Sequence, residues 1–136
     1  MKRKDLFRRA KNGDTSLLER EDVITAKDAD GKTPLHYIAE YGRIQVLLHP
    51  GVAIVKDNEG NTPLHIYAKV RRDLAICHRD VSVPRNNKGE TPLHILGQLG
   101  EWIVQYVREA YEIKDNMGKT PIDYYNEAKN KCPPKE

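Results

Sequence analysis

Apolar residues recur along the chain in two alternating patterns. Leu35, Ile38 and Ala39 stand at i, i+3 and i+4, and so do Leu64, Tyr67 and Ala68, then Leu93, Leu96 and Gly97. This spacing predicts three helices, each burying one stripe, with a small third residue that lets neighbouring helices approach closely. Each stripe is preceded by Thr-Pro, at Thr33-Pro34, Thr62-Pro63 and Thr91-Pro92. Threonine accepts a bond from an orphan N–H, and proline has no N–H to lose in a first turn, so a helix starts at each pair. A second, shorter amphipathic stretch follows: Ile44, Val46, Leu47 and Leu48, then Leu74, Ala75 and Ile76, then Ile103, Val104 and Val107. Pro50-Gly51 closes the first of these. The chain then reads as extended through Val52-Ala53-Ile54-Val55, Val81-Ser82-Val83 and Tyr111-Glu112-Ile113. Polar turns end each stretch, and their Gly60, Gly89 and Gly118 predict positive φ.

These patterns are copies of one unit. Thr33-Pro34-Leu35-His36, Thr62-Pro63-Leu64-His65, Thr91-Pro92-Leu93-His94 and Thr120-Pro121-Ile122-Asp123 begin 29 residues apart. Gly31, Gly60, Gly89 and Gly118 keep the same period, and Gly13, Gly42 and Gly100 mark a later column that Arg71 interrupts. Before Thr33 the signature is missing, yet Leu6, Ala10 and Gly13 occupy the columns of Leu35, Ala39 and Gly42. The units are therefore 4–32, 33–61, 62–90 and 91–119, with a shortened one from 120, and residues 1–136 form a single domain. Both ends read as caps. Arg9 stands where inner units place Ile38, Tyr67 and Leu96; Asp123 replaces the histidine, Asn126 replaces the small residue, and 129–136 reads as a frayed tail.

Thr-Pro-Leu-His opening a first helix, with a glycine-bearing turn before it, resembles the ankyrin-repeat family over essentially the whole chain. The resemblance implies an all-α solenoid of stacked helix-turn-helix units with short hairpin turns. The family's usual unit is about 33 residues, and four missing residues are close to one helical turn. A second helix shortened by one turn, and a thinner outer layer, are expected.

The resemblance further implies that His36, His65 and His94 hold the turn and helix start by hydrogen bonds. It places a protein partner along the turn tips and the exposed face of the first helices. Carried over by position, the tips are Ala29, Asp30 and Lys32; Asn58, Glu59 and Asn61; Asn87, Lys88 and Glu90; Asn116, Met117 and Lys119. The helix positions are Glu40 and Tyr41, Lys69 and Val70, Gln98 and Leu99. Tyr41, Val70 and Leu99 fall 29 apart, so stacking lines up three apolar side chains as a contact row, against ordinary scattered surface apolarity.

Other chemistry is thinly represented. A zinc ion shared along the histidine column would need nitrogens about 2.0 Å away, whereas packed helix axes lie about 8 to 10 Å apart. Read as a calcium loop through Gly31, the first and twelfth positions would be Ala26 and Tyr37, neither a carboxylate. No phosphate loop or nucleophile elbow occurs, and Cys77-His78 has no third partner in the sequence. No enzyme, cofactor or metal is expected. Of the 136 residues 38% are hydrophobic and 32% charged, and 23 basic against 20 acidic side chains leave a net charge of +3. No single-sign field favours nucleic acid or an anionic membrane. Lys2, Arg3, Lys4, Arg8, Arg9 and Lys11 form the one concentrated basic patch, either a solvated cap or, alternatively, a site for nucleic acid or an acidic partner. Trp102 and Tyr106, four apart, either pack on the next unit or form an outward aromatic patch. Cys77 and Cys132 form no disulfide framework, and no apolar run is long enough to span a membrane. A soluble cytoplasmic monomer is the expectation.

Overall fold

The computed structural model describes residues 2–41, 44–70 and 80–131. Six α-helices lie within them: α1 Arg3–Lys11, α2 Asp22–Thr25, α3 Pro34–Glu40, α4 Pro63–Val70, α5 Pro92–Gln98 and α6 Pro121–Lys131. No strand occurs among the described residues. The fold is an all-α repeat of the ankyrin type. Helices of seven or eight residues are marginal alone in water, so packing must hold them. Each of α1, α3, α4, α5 and α6 packs on the next in that order. Leu35, Ile38, Ala39, Leu64, Tyr67, Ala68, Leu93, Leu96 and Gly97 are all buried, as the stripe requires. A Cβ on Gly97 would come within 2.2 Å of the Pro121 carbonyl oxygen, so α5 and α6 approach as they do because residue 97 has no side chain.

The outer layer departs from the expected single short helix. The 3-10 segments Ile44–Leu48 and Pro50–Ala53 follow α3, and Trp102–Tyr106 and Arg108–Tyr111 follow α5. Val52 and Ala53 are thus helical rather than extended, as is Tyr111, while 81–83 is a turn. A 3-10 helix turns in three residues, so two such turns advance six positions. Buried residues obey that interval at Val46 and Val52 and at Val104 and Ala110, and Leu17 and Val23 keep it across the 3-10 segment Thr15–Glu19 and the short α2. Ile44 and Leu48, which an α-helical reading puts on the inner face, are rotated outward, and Leu48 is 85% exposed. At the C-terminal end α6 extends through Lys131, so 129–131 belong to a helix rather than a frayed tail. The expectations for Gly42, Arg71, Leu74, Ala75, Ile76, Cys77, His78 and the tail from Cys132 lie outside the described residues.

Candidate functional site

Two ladders of hydrogen bonds hold the units in register. In the first, the Thr33 backbone N–H donates to His36 Nδ1 at 3.1 Å, and the His36 N–H returns a bond to Thr33 Oγ1 at 3.4 Å. The far ring nitrogen, Nε2, meets the Asn61 carbonyl at 2.8 Å. His65 repeats this with Thr62 and the Glu90 carbonyl, and His94 with Thr91 and the Lys119 carbonyl. A backbone N–H only donates and a carbonyl only accepts, so each imidazole is neutral, with its proton on Nε2. Burial pushes the proton affinity of all three down, His65 to about 4, even though the bonded carbonyls favour the charged form. Asp123 ends the ladder. Its carboxylate accepts from the Thr120 N–H at 2.9 Å, keeping the cap, but it has no N–H to pass to a further unit.

The second ladder runs through the turn tips. Asp28, Asp57, Asn86 and Asp115 each fold their own turn by accepting two backbone N–H bonds on Oδ1; for Asp57 these come from Glu59 and Asn61, both at 2.9 Å. Asn58, Asn87 and Asn116 then join each turn to the one before. The Asn87 side-chain amide donates to the Asn58 carbonyl at 3.0 Å, and its backbone N–H to the Glu59 carbonyl at 3.0 Å. Ala29, at the same column of the first turn, carries no amide. The three asparagines are exposed, as expected of tip residues, but their amides are engaged between turns.

Between the turns and the first helices lies an open groove of about 1080 Å³. Twelve of the expected contact residues line it: Asp30, Lys32, Glu40, Asn58, Glu59, Asn61, Lys69, Val70, Asn87, Lys88, Glu90 and Gln98. Ala29, Tyr41, Leu99, Asn116, Met117 and Lys119 do not. The row of Tyr41, Val70 and Leu99 therefore contributes only Val70 to the groove. Tyr41 and Leu99 end α3 and α5 as C-caps instead. The sequence reading passed over the residue after each histidine. Ile66 and Ile95 occupy that column, both half-buried and both lining the groove. The signal was present in the same 29-residue register, since Tyr37, Ile66, Ile95 and Tyr124 form one column. Asp30, Glu40, Asp57, Glu59 and Glu90 give five carboxylates along the lining, against the three ammonium groups of Lys32, Lys69 and Lys88. Glu90 is buried, with its oxygens held by Asn86 and Gln98.

Tyr37 and Tyr124 do something at the two ends of the column that isoleucine cannot. Their hydroxyls donate to the second carboxylate oxygen of Asp28 and Asp115. Burial opposes ionisation of both aspartates, but these hydroxyls and the turn N–H groups outweigh it and hold the carboxyls below their ordinary range. Burial, and then the facing carboxylate, push both phenols up.

The other candidates are placed as follows. Trp102 and Tyr106 stack edge to face at 5.8 Å and stay 59% and 76% exposed, so they form an outward aromatic pair. In the basic patch Arg8 pairs with Asp5 at 3.3 Å and Arg9 with Asp14 at 2.6 Å. Arg3 and Lys11 lie over the Phe7 and Tyr37 rings. Among the described residues no three His, Cys, Asp or Glu side chains are grouped to share a metal ion, and no helix is long and apolar enough to cross a membrane.

One stretch of the chain, holding the Gly31 turn and the Thr33–His36 cap, is matched by a family model. The model of the ankyrin repeat matches residues 30–58. The chain contains an ankyrin repeat. The matched ankyrin segment spans 29 residues, the period read from the Thr-Pro-Leu-His signature. No curated protein matches the chain. The ankyrin repeat is a general protein–protein interaction module.

Proposed function

We propose that this chain is a non-catalytic recognition scaffold, monomeric and cytoplasmic, that seats a protein partner in the groove between its turns and first helices. The observation that carries this reading is the groove itself, whose walls are fixed before any partner arrives by the histidine and asparagine ladders. Binding to a preformed surface avoids the entropy of ordering a backbone. Specificity then resides in side chains that differ from unit to unit, such as Glu40, Lys69 and Gln98 in one column. The internal pairing of Arg8 and Arg9 takes charge away from the competing basic-cap reading.

Capture of partners from the source cell, followed by Val70→Glu, tests the reading. Val70 lines the groove and is 42% exposed, so a carboxylate there leaves the fold intact and weakens binding at least tenfold. Glu109→Lys on the exposed outer layer serves as control and changes binding by less than about 1 kcal/mol. Binding that survives Val70→Glu but is abolished, in a salt-sensitive way, by neutralising Arg8 and Arg9 would transfer the function to the basic cap.

A further inference from the structure

The four turn positions Asp28, Asp57, Asn86 and Asp115 are equivalent, and three of them are closed. Asp28 and Asp115 have their second oxygen taken by a tyrosine hydroxyl. Asn86 has no second oxygen, and its amide bonds Glu90 Oε1 at 3.1 Å and Asn61 Oδ1 at 3.0 Å. Asp57 differs from all of them. Its Oδ1 folds the turn, but Ile66 stands where a tyrosine would reach Oδ2, and among the described residues no donor and no ion pair engages that oxygen. Asp57, Ile66 and Ile95 all line the groove, with Glu59 and Glu40 beside them.

A groove that offers an open carboxylate oxygen, two half-buried isoleucines and further carboxylates complements one kind of side chain. Arginine has a long apolar stem and a planar fork of donors that is weakly hydrated and lies flat on apolar surface, whereas lysine ends in a compact, strongly hydrated point charge. Resting on the reading of the groove as the partner site, we propose that it receives an extended protein segment bearing an arginine. The guanidinium pairs with Asp57 and Glu59, and its stem lies on Ile66 and Ile95. The incoming donor takes the place that the Tyr37 and Tyr124 hydroxyls fill at the two ends of the array.

The array itself supplies two variants that test this without disturbing the fold. Asp57→Asn reproduces the turn of Asn86, whose Oδ1 accepts the N–H groups of Lys88 and Glu90 at 2.9 and 3.0 Å. Ile66→Tyr recreates the tyrosine–aspartate pair of the end units and closes the open oxygen from within. The probe is a set of fluorescein-labelled decapeptide pools, random except for a central arginine, citrulline, lysine or glutamate, read by anisotropy. Wild type is expected to retain the arginine pool at least tenfold better than the citrulline pool. Both variants should reduce the arginine pool to the citrulline level, with the melting temperature of Ile66→Tyr equal to or above that of wild type. An arginine preference that persists in both variants, or a preference for the glutamate pool, overturns the proposal. Pools bound without arginine preference but released by Val70→Glu would overturn the arginine assignment and leave the groove reading standing. Pool binding indifferent to Val70→Glu would remove both.

Discussion

His65 Nε2 lies 2.7 Å from the carbonyl oxygen of Glu90, 25 residues further along the chain, while its Nδ1 accepts the N–H of Thr62 at 3.1 Å. One neutral ring thus caps its own helix and fastens the next unit to it. Protonating Nδ1 would turn it toward a backbone N–H as a second donor, so the ring can keep both bonds only in its neutral form.

Acid should therefore loosen the array before its carboxylates titrate. Burial holds the His65 proton affinity down to about 4, against about 6.5 for a free imidazole. Between those values the unfolded chain binds more protons than the folded one, so stability is full above about pH 6.5 and falls as the pH drops toward 4. His65 alone accounts for on the order of 3 kcal/mol by pH 4, with His36 and His94 acting in the same direction. Urea unfolding at pH 7.5, 5.5 and 4.5 should show midpoints that decrease stepwise. His65→Gln should start less stable and lose less over the same interval. A midpoint independent of pH in wild type would refute the neutral ladder.

The first helices and the turns were legible in the sequence because their chemistry is local and repeated. Threonine, proline, histidine and glycine act within a few residues of their own position, so each copy announces its structure. The outer layer was legible only in part. Ile44, Val46, Leu47 and Leu48 are consistent with an α-helical face, and the 3-10 geometry shows itself only in the six-residue interval from Val46 to Val52. The groove followed the same division. Its rim could be carried over from the turn tips, whereas Ile66 and Ile95 look like core residues until the tyrosines at either end of their column are seen to reach Asp28 and Asp115.

Leu64 and Leu48 separate the two layers experimentally. Leu64 is fully buried on α4, so Leu64→Ala should cost about 2 to 5 kcal/mol through lost burial and a residual cavity. Leu48 points outward from the 3-10 layer, and Leu48→Ala should change stability by about 0.5 kcal/mol or less. Chemical denaturation of the two variants under one condition measures both. A loss of several kcal/mol at Leu48 would restore the single α-helix expected from the hydrophobic pattern.

The turn ladder makes its own prediction, because two glycines with the same backbone have different neighbours. Gly60 and Gly118 both hold φ near +80°, at +79° and +78°. An alanine at either therefore pays the left-handed penalty of about 1 to 2 kcal/mol. At Gly118 a Cβ meets nothing within 4 Å, so that penalty should be the whole loss. At Gly60 the same Cβ would lie 2.5 Å from Asn87 Oδ1 and 2.7 Å from the Asn87 backbone nitrogen, and the Asn87 turn must move away. That movement breaks the Asn87 bonds to the Asn58 and Glu59 carbonyls. Each lost hydrogen bond adds about 0.5 to 1.5 kcal/mol, so Gly60→Ala should be destabilised by about 1 to 3 kcal/mol more than Gly118→Ala. Amide exchange should locate the difference, with the Asn87 N–H losing protection in Gly60→Ala and keeping it in Gly118→Ala. Equal losses at the two sites, with Asn87 protected in both, would mean that the turn tips stand independently and that the groove wall is not fixed by the asparagine ladder.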